Sequence, residues 1–166
     1  MTMGEQQLKL ARRTRRRLLL MYADLDNMKR INDRFGHMEG DAALIEAAAI
    51  LREVFRESDI IARIGGDEFV ILAVDSDGAS PEVLINRIHQ RCILANLKKA
   101  RPYVLAMSAG SAEFDPDQPT TLEGLVAQAD REMYTEKQKR QKRTPAKGAV
   151  KQAELDLAYV TGKIAS

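Results

Sequence analysis

From Leu18 to Tyr22 the chain runs L-L-L-M-Y without a polar residue, then breaks at Ala23-Asp24-Leu25-Asp26-Asn27. An apolar run that does not alternate is expected of a central strand covered on both faces, and this one ends in carboxylates where helical spacing begins. Met28, Ile31 and Phe35 recur at helical intervals, and Gly36 is placed to end that helix. Gly40-Asp41 opens a second helix, with Leu44, Ile45, Ala48, Leu51 and Phe55 as its core stripe. Residues Ile60 to Leu72, I-I-A-R-I-G-G-D-E-F-V-I-L, read as a β-hairpin: the glycines allow positive φ, and Asp67 and Glu68 stand at the tip.

Asp75-Ser76-Asp77-Gly78 punctuates the exit from the hairpin, and Ser80-Pro81-Glu82 starts a helix that runs to about Leu97. Tyr103 to Ala112 reads as a further strand, Pro116 to Pro119 as a loop, and Thr121 to about Lys139 as a last long helix. Met1 to Arg17 has the pattern of a basic helix with Leu8, Ala11 and Leu18 as sparse apolar positions. Residues 141–166 begin with a basic stretch without apolar period and are expected to be a disordered tail. The order β-α-α-β-β-α-β-α from 18 to 140 is that of an α+β sandwich with a central antiparallel sheet.

At 166 residues the chain supports one domain with a real core and not two. It has no apolar run of membrane-spanning length and no signal-peptide pattern, so a cytoplasmic domain without membrane insertion is expected. Cys92 is the only cysteine, which rules out an intrachain disulfide; its helical context reads as a buried thiol. The formal charge of +2 conceals a split. Residues 1–17 carry six Lys/Arg against one acid and 138–166 carry seven against two, which leaves thirteen Lys/Arg and twenty-one acids between them, a net charge of −8. An acidic domain that holds a polyanion needs bound cations, so a Mg²⁺ site for phosphates fits better than a nucleic-acid surface. No aromatic-rich RNA platform or DNA-reading motif accompanies the basic ends.

Several motifs then occur in order: D-L-D-N-M-K-R-I-N-D at Asp24 to Asp33, G-H-M-E-G-D at Gly36 to Asp41, R-E-S-D at Arg56 to Asp59, and G-G-D-E-F at Gly65 to Phe69. M-S-A-G at Met107 to Gly110 and A-D-R-E-M-Y-T-E-K at Ala129 to Lys137 follow. The set resembles the GGDEF family of diguanylate cyclases from about Leu18 to Lys137, and the ordered spacing is far more specific than the five-letter motif alone. The resemblance implies a ferredoxin-like palm and the condensation of two GTP into cyclic di-GMP and pyrophosphate, with each GTP on one of two facing copies of the domain.

By that resemblance Asp24 and Asp67 supply carboxylates, and Leu25 its carbonyl, to Mg²⁺ or Mn²⁺. Asp67, Glu68 and Lys29 are the catalytic set. Asn27 and Met28 open a helix whose N–H groups and dipole suit phosphate, and Lys29 in its first turn opposes the dipole, which a phosphate contact explains. Asn32 and Asp41 match the family's guanine-reading pair: a carboxylate accepts from guanine N1–H and the exocyclic amine, a pattern adenine lacks. Asp41 as a cap of the second helix is the plainer alternative. Lys137 matches a lysine that grips the triphosphate. Arg56 and Asp59, five residues before Gly65, match an R-x-x-D site for product inhibition by cyclic di-GMP, and Arg87 matches its secondary arginine. His37 sits in the inter-helix turn without a catalytic role, and His89 lacks a motif.

Two departures weaken the match. The family's D-x-L-T-G-L-x-N-R-R segment is not found ahead of the first helix, and Gln141 stands where the family has a second phosphate-gripping arginine, with Arg140 in place of a glycine. A catalytically weak domain that binds GTP or cyclic di-GMP and signals by contact is therefore the main alternative.

Overall fold

A computed structural model describes residues 2–74, 80–98, 101–118 and 120–143, with side chains as far as Lys139. The turn expected at Asp75 to Gly78 and residues 144–166 of the expected tail lie outside the described residues. The elements are α1 (Met3–Thr14), β1 (Leu18–Leu25), α2 (Met28–Phe35), α3 (His37–Val54), β2 (Ile60–Arg63), β3 (Glu68–Val74), α4 (Pro81–Lys98), β4 (Met107–Phe114) and α5 (Leu122–Arg143). The four strands form one antiparallel sheet in the order β2-β3-β1-β4. With five helices around it, this is the α+β architecture the element order predicts.

The run Leu18 to Tyr22 is apolar throughout because β1 lies between β3 and β4 and both its faces are covered; all eight of its residues are buried. Odd positions Leu19, Met21, Ala23 and Leu25 join a core with α2, α3 and α4, while even positions Leu18, Leu20 and Tyr22 join one with α1 and α5. The same parity holds in β3, where Phe69, Ile71 and Ala73 face the first core and Leu72 the second. Parity therefore decides what the strand ends present: Asp24 follows Tyr22 onto the α5 side, and Glu68, its register partner, does the same.

The α2–α3 corner differs from expectation. Gly36, at φ 89°, closes α2 and precedes α3 directly, so α3 begins at His37 and not at Gly40-Asp41. Positive φ is inexpensive only for glycine, which lets one residue serve both ends. His37 thus opens a helix, and Asp41 sits in its second turn and does not cap it. The last strand also starts later, at Met107, because Asn96 of α4 binds both the N–H and the C=O of Leu105, at 2.9 and 2.8 Å, and holds that segment off the sheet. Neither Gly65 nor Gly66 has a positive φ, since Gly36 is the only such glycine among the described residues. Gly65 instead lets the Glu68 carboxylate pack against the turn, and a Cβ there would have to displace that side chain.

The α5 helix reaches β4 at backbone distance. A Cβ on Gly110 would overlap the Met133 amide nitrogen and the Ala129 carbonyl and lie 2.7 Å from Met133 Cα. No flexible side chain can yield there, so Gly110→Ala must lever α5 away from the sheet. The expected loss of stability is about 3 kcal/mol, the upper end for overpacking, measurable by urea denaturation; a loss under about 0.5 kcal/mol would contradict this packing.

Candidate active site

The site lies at the C-terminal end of β1. Asp24 is paired in register with Glu68 of β3 on one side and Ser108 of β4 on the other, and the Leu25 amide donates to the Asp67 carbonyl at 3.0 Å. Carboxylates from two adjacent strands are thereby brought to one place, with Asp67 on the connecting loop and Glu68 the first residue of β3 rather than at the tip. Arg63 holds that loop in shape by donating to the carbonyls of Gly65 at 3.1 Å and Gly66 at 2.7 Å.

Asp24 is 9% exposed. Lys137, from α5, donates a short hydrogen bond to its Oδ1 and stands 3.6 Å from Asp26 Oδ1. Helix geometry explains the reach: Lys137 is one turn beyond Met133, which rests on Gly110, and Ser108, the register partner of Asp24, lies two residues from Gly110 along β4. Burial pushes the Asp24 carboxyl up, against the opposing pull of Lys137, and Asp67 and Asp26 push it further. Burial pulls Lys137 down, but its bond to Asp24 and the charges of Asp24, Asp26 and Asp67 outweigh that and hold it above the usual lysine value. Burial thus dominates the Asp24 shift, and the three surrounding acids the Lys137 shift.

Three neighbours here were not anticipated from the sequence. Asp26 accepts from Ser108 Oγ at 2.8 Å as well as facing Lys137. Tyr22, two residues before Asp24 on the same face, has Glu68 as hydrogen-bond partner, and burial followed by that contact raises its pKa. The period-two spacing of Tyr22, Asp24 and Asp26 was the available signal. The donor set expected from the sequence, the Asp24 and Asp67 carboxylates and the Leu25 carbonyl, is all oxygen, the chemistry that would suit a hard divalent cation. Among the described residues no three His, Cys, Asp or Glu side chains are gathered to hold a metal.

Asn27 precedes α2 in the left-handed region, φ 61°, without a side-chain cap, a conformation asparagine tolerates better than most residues. Lys29 is exposed in the first turn, and Met28 is packed into the core. Asn32 turns its Oδ1 inward, where it is buried without a hydrogen-bond partner. It lies against Gly40, the residue that precedes Asp41 in α3. Arg56 and Asp59 lie between α3 and β2, and Arg87 is exposed on α4. The Glu53–Arg91 ion pair, 3.2 Å, ties the end of α3 to α4 one turn from Arg87. Asp59 is also structural: its oxygens accept from the amides of Arg56 at 2.9 Å and Val74 at 3.1 Å.

Residues 2–143 match the family model described as diguanylate cyclase, GGDEF domain. The chain belongs to the GGDEF domain family. It is 36% identical over 134 residues to diguanylate cyclase DgcP of Escherichia coli K12, covering 80% of this chain and 39% of that protein. The chain thus spans less than half the length of that curated relative. A structure comprising only the GGDEF domain of TpbB from Pseudomonas aeruginosa superposes with a TM-score of 0.66 at 33% identity, over 81% of this chain and 79% of that one. The active GGEEF domain of a diguanylate cyclase from Vibrio cholerae gives a TM-score of 0.71 at 25% identity, over 82% and 86%.

The contact between Asn32 and Gly40 yields a test of the corner. A Cβ on Gly40 would overlap Asn32 Oδ1 and lie 2.9 Å from Met28 Cε, both ends of side chains that can rotate. Gly40→Ala is expected to retain the fold, at a cost of about 1 kcal/mol, while the Asn32 side-chain amide resonances move in a ¹⁵N–¹H spectrum. Unmoved Asn32 resonances would show that the amide does not pack on this glycine.

Proposed function

We propose that this GGDEF domain is a diguanylate cyclase domain that condenses two GTP into cyclic di-GMP with release of pyrophosphate. The observation that carries the reading is the convergence of Asp24 and Glu68 from two paired strands with Asp67 from the loop between β2 and β3, and Lys137 of α5 bound to Asp24. The Asp24 and Asp67 carboxylates and the Leu25 carbonyl would hold Mg²⁺ or Mn²⁺, which when bound supplies the charge neutralisation that phosphoryl transfer requires.

This chain's residues then divide the work. Asn32 and Asp41 select guanine, the carboxylate accepting from N1–H and the exocyclic amine while the amide serves acceptor atoms. The start of α2, from Asn27 and Met28 with Lys29, offers N–H groups and a cation to the phosphates. Glu68 borders the metal carboxylates and is steadied by Tyr22. Each domain holds one GTP, so the 3′-hydroxyl that attacks the α-phosphate comes from the nucleotide on a second copy. Turnover therefore rises more steeply than linearly with protein concentration. A second reading, a domain that binds nucleotide without turning it over, draws on Gln141 in the place of the family's arginine.

Incubation with GTP and Mg²⁺ at several protein concentrations, with products identified by mass spectrometry, separates the two. Cyclic di-GMP is expected, and Asp24→Asn or Asp67→Asn should reduce its formation by at least a hundredfold while the fold persists. GTP binding without product at any concentration would support the binding module and sink the cyclase reading.

Arg56, Asp59 and Arg87 are proposed as a product-inhibition site, with arginine forks suited to guanine edges and phosphates. Asp59 can contribute, because a carboxylate has roughly four acceptor positions and the backbone uses two of them. Calorimetry should show cyclic di-GMP binding without GTP, lost in Arg56→Ala and kept in Asp24→Asn. Binding indifferent to Arg56→Ala would count against this site.

A further inference from the structure

We infer that Lys137 is an internal counter-cation that closes the acid cluster and has to leave Asp24 before a divalent cation can bind there. The inference rests on the metal reading of Asp24 and Asp67 and deepens it. Lys137 Nζ is hydrogen-bonded to Asp24 Oδ1 and stands 3.6 Å from Asp26 Oδ1. Its side chain is 27% exposed, against 12% for Asp24 and 14% for Asp26, so the lysine is the more accessible member of a sheltered cluster.

Two cations cannot share one buried carboxylate without strong repulsion, because at low effective dielectric charges a few ångströms apart interact by several kcal/mol. A divalent ion drawing on Asp24 therefore competes with Lys137 for the same carboxylate. The competitor is tethered: α5 rests on Gly110 by backbone contact, so the lysine stem starts from a fixed point, and only its rotatable side chain can withdraw. A tethered ammonium acts at high effective concentration, which weakens binding of a metal that arrives alone. Once displaced, the ammonium is free to meet the phosphates that accompany the metal. Metal and triphosphate are thus thermodynamically coupled through one side chain, and the coupling is reciprocal.

The test uses Mn²⁺ alone, without nucleotide, its free concentration read by electron paramagnetic resonance. Lys137→Met, which keeps the length of the stem and removes the charge, is expected to bind Mn²⁺ about tenfold more tightly than wild type, a difference of about 1.4 kcal/mol. Asp24→Asn in either background should abolish the binding. Equal affinity in wild type and Lys137→Met overturns the latch and leaves the metal reading standing. No Asp24-dependent Mn²⁺ binding in either protein overturns both. Should Lys137→Met fail to fold, the Lys137 side-chain ammonium resonance of wild type replaces it. That resonance should be protected from exchange in the metal-free protein and lose its protection on titration with Mg²⁺; an unchanged resonance at saturating Mg²⁺ overturns the proposal.

Discussion

The seating of α5 on Gly110 is the constraint on which the site depends. Where a helix meets a strand through side chains, the two can slide by fractions of a turn as the side chains repack. Here the Met133 amide and the Ala129 carbonyl stand where a Cβ would be, and main chain cannot repack. The axial position of α5 along β4 is therefore fixed, and Lys137, one turn on, arrives beside Asp24 and not a turn above or below it. Leu125, Ala129 and Met133, buried against β1 and β4, hold the helix down. A glycine without catalytic chemistry thus sets the distance between a lysine and a carboxylate 113 residues apart.

Electrostatics at the site work against stability and toward ligand binding. Burial outweighs the help of Lys137 and raises the Asp24 carboxyl above its ordinary range, while three acids raise the pKa of Lys137. With its folded pKa raised, Lys137 contributes stability below its ordinary value of 10.5, lost as pH rises through the higher folded value. Asp24 behaves oppositely at neutral pH: its raised pKa favours the fold only when the carboxyl is protonated, and that contribution is gone well above the carboxylate range. The acid cluster is therefore maintained at a cost that a bound cation would relieve, a common condition of functional sites.

Much of this was legible in the residues, and the exceptions have physical causes. The unbroken run at Leu18 to Tyr22 identified the central strand because burial on both faces leaves no room for alternation. The hairpin acids were legible as well, though Glu68 proved to be paired within the sheet. The start of α3 was misplaced because Gly36 ends one helix and begins the next, a double use that composition does not reveal. The onset of β4 was misplaced because Asn96, from another element, takes the backbone groups of Leu105. The roles of Asp26, Ser108 and Tyr22 were missed because each depends on which strand lies next to β1, and sheet order is a long-range property.

Parity connects these observations. A one-residue slip in β1 would move Asp24 to the other face of the sheet, away from α5 and toward α2, α3 and α4. Such a slip would exchange the two sets, setting Leu18, Leu20 and Tyr22 against α2, α3 and α4 and Leu19, Met21 and Ala23 against α1 and α5, so that side chains packed for one core would meet the other. The side-chain packing that fixes the register of β1 therefore also decides which face carries the carboxylates. Chemistry at the strand end needs no separate device to orient it, since the register that satisfies the two cores already places Asp24, Glu68 and Lys137 together.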